Sequence, residues 1–219
     1  MITLNDVKRD PAIRTYIEMA DASLAALGYT EHSFAHVGRV SDTAANILSS
    51  LGYDGHTVEL ARIAGYLHDI GNLVNRSDHS QSGALIAFRI LDKLGMPPAD
   101  IAEIVTAIGN HDEGTGVPVS PIAAAIILAD KSDVRRTRVR NRDQSTFDIH
   151  DRVNYSVTAS DLIVDSDCRT VSLRLTVDTG ISAVMEYFEI FLERMLLCRR
   201  AADRLGLRFG LEINGQKLL

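Results

Sequence analysis

The sequence contains no tryptophan, and aromatic residues make up only 5% of its 219 positions. No apolar run approaches the ~18 residues that a membrane-spanning helix needs, so nothing in it reads as a membrane span. Cysteine occurs twice, at Cys168 and Cys198, which makes neither a disulfide framework nor a metal-binding CxxC. The opening Met1-Ile-Thr-Leu-Asn-Asp lacks the basic and apolar regions of a signal peptide, and the expected location is a reducing cytoplasm. Lysine is scarce as well: Lys8, Lys93, Lys131 and Lys217 stand among otherwise arginine cations. A net charge of −6 leaves no general basic face and argues against nucleic acid as a partner. What remains is ordinary globular composition, 46% apolar and 24% charged, long enough to bury a real core.

The first two-thirds reads as helix after helix. Asp10-Pro11 pairs an N-cap with proline at the first helical position, and that helix stops at Gly28. Others follow over about Ser33 to Leu51, His56 to Ile70, Asp78 to Gly95, Pro97 to His111 and Pro121 to Asp130. The period then changes. Leu162 and Val164, then Val171, Leu173, Leu175 and Val177, alternate with polar residues around the turn Asp165-Ser166-Asp167, a β-hairpin signal. An amphipathic helix from about Ile181 to Leu205 and a strand from Leu207 to Ile213 complete a ββαβ unit. The expected division is a helical domain over residues 1–153 and a small α+β unit over 154–219, joined by an arginine-rich stretch.

Five of those helices carry an ionisable residue on the apolar stripe, each near a helix end. His36 is in line with Val40, Ala44 and Ile47, and His68 continues Leu60 and Ala64. His79 leads into Gly83 and Ile86, His111 follows Ile104 and Ile108, and Asp130 follows Ile126 and Ile127. A lone core histidine is commonly structural, and a buried unpaired carboxylate is costly. Five such placements call for a cation among them, and imidazoles with carboxylates are the ligands of a divalent metal. Neighbours on a helix diverge by about 100°, but His68-Asp69 stands where the helix meets Gly71, so both side chains can converge. A second His-Asp pair, His150-Asp151, lacks the apolar lead-in and reads as structural. Arg135, Arg136, Arg138, Arg140 and Arg142 form either a solvated arm or subunit interface, or a phosphate-binding group.

His36-Val-Gly-Arg-Val, Leu67-His68-Asp69-Ile70-Gly71 and Ala129-Asp130 together resemble the HD superfamily of metal-dependent phosphohydrolases. His79-x-x-x-Gly83-Ala84 and Gly109-Asn110-His111 are similar to the extra histidines of its dinuclear members, which include bacterial HD-type diadenosine tetraphosphate hydrolases. The resemblance covers roughly residues 30 to 136 and not the β-containing tail. It implies a mainly α fold, an HD-domain helical bundle, with the ββαβ unit appended. It implies a first metal on His36, His68, Asp69 and Asp130 and a second on His79 and His111, with Asp69 bridging. One departure is Asn72, where many relatives have lysine; Lys131, Arg135 and Arg136 are the candidates to grip phosphate in its place.

The implied activity is hydrolysis of a phosphate ester or anhydride of a small, nucleotide-like molecule by metal-activated water, with no Ser or Cys nucleophile. Histidine-rich ligation without thiolate favours iron or manganese, with magnesium, cobalt and nickel as alternatives, one or two ions per chain. Asp112, Glu113 and His150 are candidates to protonate the leaving group, and the loop Glu113 to Pro118 is either a lid or a connector. The rival reading is a non-catalytic, nucleotide-binding regulatory HD module; against it, no expected ligand is missing. Tyr187, Phe188, Phe191, Leu192 and Met195 offer more apolar surface than three short strands can cover, and a homodimer through the tail is expected.

Overall fold

Caps written in the sequence set most of the helix starts. In the computed structural model, which describes residues 2–219, Thr3 and Asp6 close a capping box on α1 (Leu4–Arg9). Asp10 caps α2 (Pro11–Ala26), Ser33 caps α3 (Phe34–Ser50) and Asp54 caps α4 (Gly55–Leu67). Then follow α5 (His79–Lys93), α6 (Pro98–Gly109) and α7 (Pro121–Lys131), the last two opened by proline. Past a short helix α8 (Ile149–Ser156), the chain forms β1 (Val157–Asp165), β2 (Thr170–Val177), α9 (Val184–Arg204), β3 (Arg208–Ile213) and β4 (Gln216–Lys217). The fold is therefore mainly helical with a small C-terminal sheet, as the periodicity predicts.

Several boundaries differ from that expectation. α4 ends at Leu67, where the backbone tightens into a 3₁₀ turn over Ile70–Leu73. α6 ends at Gly109, leaving His111 just beyond it. The short elements α1, α8 and β4 lack the length for a periodic signal.

The sheet order is β1-β2-β3-β4, with β2 and β3 parallel and the other pairs antiparallel. Register puts Val171 beside Phe209, Leu173 beside Leu211 and Leu175 beside Ile213, so one face is apolar in both strands. α9, the crossover between them, lays Tyr187, Phe191, Met195 and Cys198 into the core. It packs against α7 as well as against the sheet. One continuous core thus runs from Leu4 to Ile213, across the boundary expected at residue 153. Three of the five apolar residues expected to be surplus on α9 are consumed in that core; Leu192 stays 52% exposed, beside Met185 at 67%. Among the described residues no helix is long and apolar enough to cross a membrane.

Candidate metal centre

The tight turn after α4 is what brings two adjacent side chains to one place. His68 keeps helical angles as the C-cap, whereas Asp69 has φ −94° and ψ 3°, outside the helix. Gly71 lets this turn lie directly on the start of α5: a Cβ there would overlap the His79 carbonyl and the Gly83 amide. On the other side, Asp78 takes the left-handed φ of 55° immediately before His79, an unfavourable conformation for a non-glycine residue that the packing holds in place.

The six expected ligands converge. Asp69 Oδ2 lies 3.4 Å from His36 Nε2 and 3.2 Å from His68 Nε2, and Asp130 Oδ1 lies 3.3 and 3.7 Å from the same two nitrogens. The other oxygen of Asp69, Oδ1, lies 3.5 Å from His79 Nε2 and 3.9 Å from His111 Nε2. One carboxylate therefore faces two histidine pairs, with one oxygen toward each.

Every one of the four imidazoles is held from behind through Nδ1. His68 donates to the Gly65 carbonyl at 2.8 Å, His79 to Arg76 at 3.0 Å and His111 to Ile108 at 2.7 Å, each three residues back. His36 donates instead to the Asp133 carboxylate at 2.8 Å. This backing fixes the tautomer and leaves the Nε2 lone pair for a cation. His79 Nε2 and His111 Nε2 then face each other at 3.2 Å, two lone pairs that a shared positive charge reconciles. The buried Nε2 atoms of His36 and His68 make no hydrogen bond. Two overlapping sets, His36-His68-Asp130 and His68-Asp69-His111, have donor atoms close enough together to hold a metal ion. On donor chemistry and on these orphaned nitrogens, the residues fit a divalent metal.

Charge around the centre is divided between the two pairs. Burial works against a proton on His68, but the Asp69 and Asp130 carboxylates outweigh it and raise its pKa to about 10. Burial and the positive charges of its neighbours push His111 down to about 3. Burial would raise Asp69 and Asp130; their cationic neighbours, chiefly His68 for Asp69 and Lys131 for Asp130, hold both well below the usual carboxylate range. Asp69 and Asp130 are thus ionised and His111 neutral, as metal ligands must be, while the proton that the two carboxylates favour on His68 is one a bound cation would replace.

A cavity of about 480 Å³ opens above the centre. Asp69, His79 and Asp130 line it together with four cations, Arg76, Lys131, Arg138 and Arg194. Lys131 is buried, 2.7 Å from Asp130 Oδ2 and 3.5 Å from Glu113 Oε1. Arg135 and Arg136 do not line the cavity. Arg135 is spent on Asp133, and Arg136 on the Tyr155 carbonyl and Asp178. Asn72, the departure from the lysine pattern, donates to the Asp69 carbonyl at 2.9 Å and to its Oδ1 at 3.0 Å, and so orients that carboxylate. Glu113 lines the cavity and is pinned by both Lys131 and Arg194. His150 and Asp151, read from the sequence as structural, sit on the cavity wall.

Asp133, Arg76, Arg194 and His32 escape sequence reasoning, whereas Arg138, one of the arginine cluster read as a possible phosphate-binding group, lines the cavity. Asp133 had a signal, an acid three residues past Asp130, just after the apolar run of Ile122 to Ala129. His32 is half-buried beside His36 with ring centroids 5.3 Å apart, at one end of a row of imidazoles that continues through His68, His111 and His79. Arg76 and Arg194 had no signal, since tertiary contacts alone place them.

Residues 33–139 match the family model of the HD domain. An uncharacterized protein of Methanocaldococcus jannaschii is 24% identical over 212 residues, covering 83% of this chain and 79% of its own. A predicted HD superfamily hydrolase from an uncultured Thermotogales bacterium, known as a crystal structure, is 25% identical. That likeness covers 61% of this chain and 75% of the other, with a TM-score of 0.43. The matched segment spans α3 to α7 and includes every residue of the histidine–aspartate centre, so the likeness to the HD domain falls on the part of the chain that builds the centre.

Proposed function

We propose that this protein hydrolyses a phosphate ester or anhydride of a small, nucleotide-like molecule, using two divalent metals. His36, His68, Asp69 and Asp130 would hold the first and His79 and His111 the second, with Asp69 shared. The observation that carries this reading is the set of four buried imidazoles, all backed at Nδ1, with their Nε2 atoms turned onto two carboxylates at the cavity floor. When bound, such metals supply Lewis acidity that activates water and polarises a phosphoryl group.

The remaining chemistry belongs to the chain. Asp69, held by Asn72, keeps both of its oxygens directed at the histidine pairs. The cavity wall carries four cations against the carboxylates of Asp69, Glu113, Asp130, Asp148 and Asp151. Protein charge there nearly cancels, so the metals would set the positive balance that draws in an anion. Lys131 keeps its expected role of offsetting charge on phosphoryl oxygens, and Arg76 takes the one expected of Arg135 and Arg136. His150 would pass a proton from its imidazole to the leaving group, a role supported by its position in the cavity lining. A nucleobase is supported by the exposed Tyr29 ring in the lining and by a volume within the ~300–1,000 Å³ common for small-molecule sites. Donors that are histidine nitrogens and carboxylate oxygens, without thiolate, favour iron or manganese. Exposed Met185 and Leu192 support a two-fold contact through α9, and two free cysteines suit a reducing cytoplasm.

The test is released inorganic phosphate from a panel of nucleotides and p-nitrophenyl esters, with manganese- or iron-loaded wild type beside Asp69→Ala. Turnover by the wild type, and its loss together with bound metal in the variant, is expected. A metal-loaded wild type that turns over nothing while still binding nucleotide would replace this reading with the regulatory one.

A further inference from the structure

Of the four cations on the cavity wall, three are accounted for within the segment that matches the HD-domain model. Arg138 is spent on the carbonyls of Glu31 and Asp133, and Lys131 lies between Asp130 and Glu113. Arg76 makes loose contacts, 3.5 Å to Asn72 Oδ1 and 3.4 Å to His79 Nε2, at the centre itself. The fourth, Arg194, comes from α9 and lies outside the matched segment. Its Nε donates to Glu113 Oε1 at 2.7 Å, and its guanidinium carbon sits 3.9 Å from the centroid of the Phe191 ring. A hydrogen bond on one edge and a ring beneath fix the plane of the group. Its two terminal nitrogens make no hydrogen bond among the described residues, although the residue lines the cavity. A side chain present only to neutralise Glu113, which already has Lys131, has no need of that geometry. An oriented guanidinium with its terminal fork open is the form that reads a phosphate or carboxylate through two parallel hydrogen bonds.

We infer that Arg194 is a specificity-determining residue, which binds a second anionic group on the substrate while the reacting phosphoryl group lies at the histidine–aspartate centre. This rests on the phosphohydrolase reading above and narrows it. The favoured class is a small molecule with two or more anionic groups, such as a phosphoanhydride, rather than a simple monoester. The C-terminal unit then serves the site directly, through α9, and is more than a cap on the helical bundle.

The experiment titrates methylenediphosphonate and methylphosphonate, which are not hydrolysed, into full-length manganese-loaded protein in a calorimeter. Wild type, Arg194→Gln and Arg194→Lys are compared, with metal content and melting temperature measured for each. The wild type is expected to prefer the diphosphonate. Arg194→Gln should weaken diphosphonate binding about tenfold, the worth of a charge-assisted pair, and change methylphosphonate binding by less than about twofold. Arg194→Lys keeps the charge without the fork and should fall between the two. A wild type without preference, or an Arg194→Lys variant that loses both ligands equally or neither, overturns the inference. The phosphohydrolase reading fails separately, by absence of released phosphate from any ester, whatever the diphosphonate result.

Discussion

Asp133 is the residue whose replacement should cost most for its distance from the reacting atoms. Its carboxylate is wholly buried and accepts from His36 Nδ1 at 2.8 Å and from Arg135 Nε and Nη2 at 2.5 and 3.0 Å. Arg39 Nε at 3.2 Å and Arg138 Nη1 at 3.7 Å add two further cations. These partners are unequal. The Arg39 and Arg135 side chains are 45% and 24% exposed and can turn to water, so losing them costs little. His36 and Arg138 cannot, and Asp133→Ala would leave an N–H and a guanidinium buried without their counter-charge. Breaking a buried pair in this way costs about 3–5 kcal/mol, whereas Asp133→Asn keeps an acceptor and should cost about 1–2 kcal/mol. Both changes release the hold on the His36 tautomer, and metal affinity should fall about 10- to 100-fold. Urea unfolding measures the first effect, and competition with a chelator for manganese measures the second. An Asp133→Ala protein with stability within ~1 kcal/mol and metal affinity within about twofold of wild type would refute the reasoning.

Three further outcomes follow from the same geometry. His111→Ala should lower bound metal from about two ions per chain to about one, read by elemental analysis; a wild type that holds one ion under every loading condition removes the second site. Gly71→Ala should destabilise the protein by about 1–3 kcal/mol, seen as a lower melting temperature, because the new methyl meets backbone rather than a side chain that can move. His150→Ala should leave metal content unchanged, since no candidate ligand contacts it, while lowering kcat for the best substrate of the panel; metal loss equal to that of Asp69→Ala would reverse the assignment of the two His-Asp pairs.

Helices long enough to show a 3.6-residue period, with Asp, Ser or Pro at the start and Gly at the end, were readable as they stand. The hairpin and the final strand were readable from alternation. α1 and α8 were not, for six or eight residues hold too few turns to display a stripe. Nor could the alternation say where the amphipathic face of α9 would go. Its apolar side is shared between the sheet and α7, a fact of tertiary packing that turns the apparent surplus of Tyr187, Phe191 and Met195 into core.

Legibility of the centre has a local cause. Last-turn carbonyls of a helix lack the amide partners that interior ones have, so a histidine just past the end can donate Nδ1–H three residues back. His68 to Gly65 and His111 to Ile108 both do this, and His79 repeats it from the turn before α5. A polar residue at a helix end and in line with an apolar stripe is therefore already half-oriented by its own segment, and the sequence exposes it. Asp133, Arg138 and Arg194 carry no such mark, because their partners are far away in the chain: Asp133 meets His36 across 97 residues, Arg138 meets Glu31 across 107, and Arg194 meets Glu113 across 81. The same distinction explains why Arg135 and Arg136 were attractive from sequence. Their nearness to Asp130 is real along the chain, but the backbone leaves α7 just before them and directs both guanidiniums to other acceptors. Candidate ligands held by local hydrogen bonds can be found by reading outward from a helix end, whereas the other charged groups of the cavity come from elements the fold alone brings together.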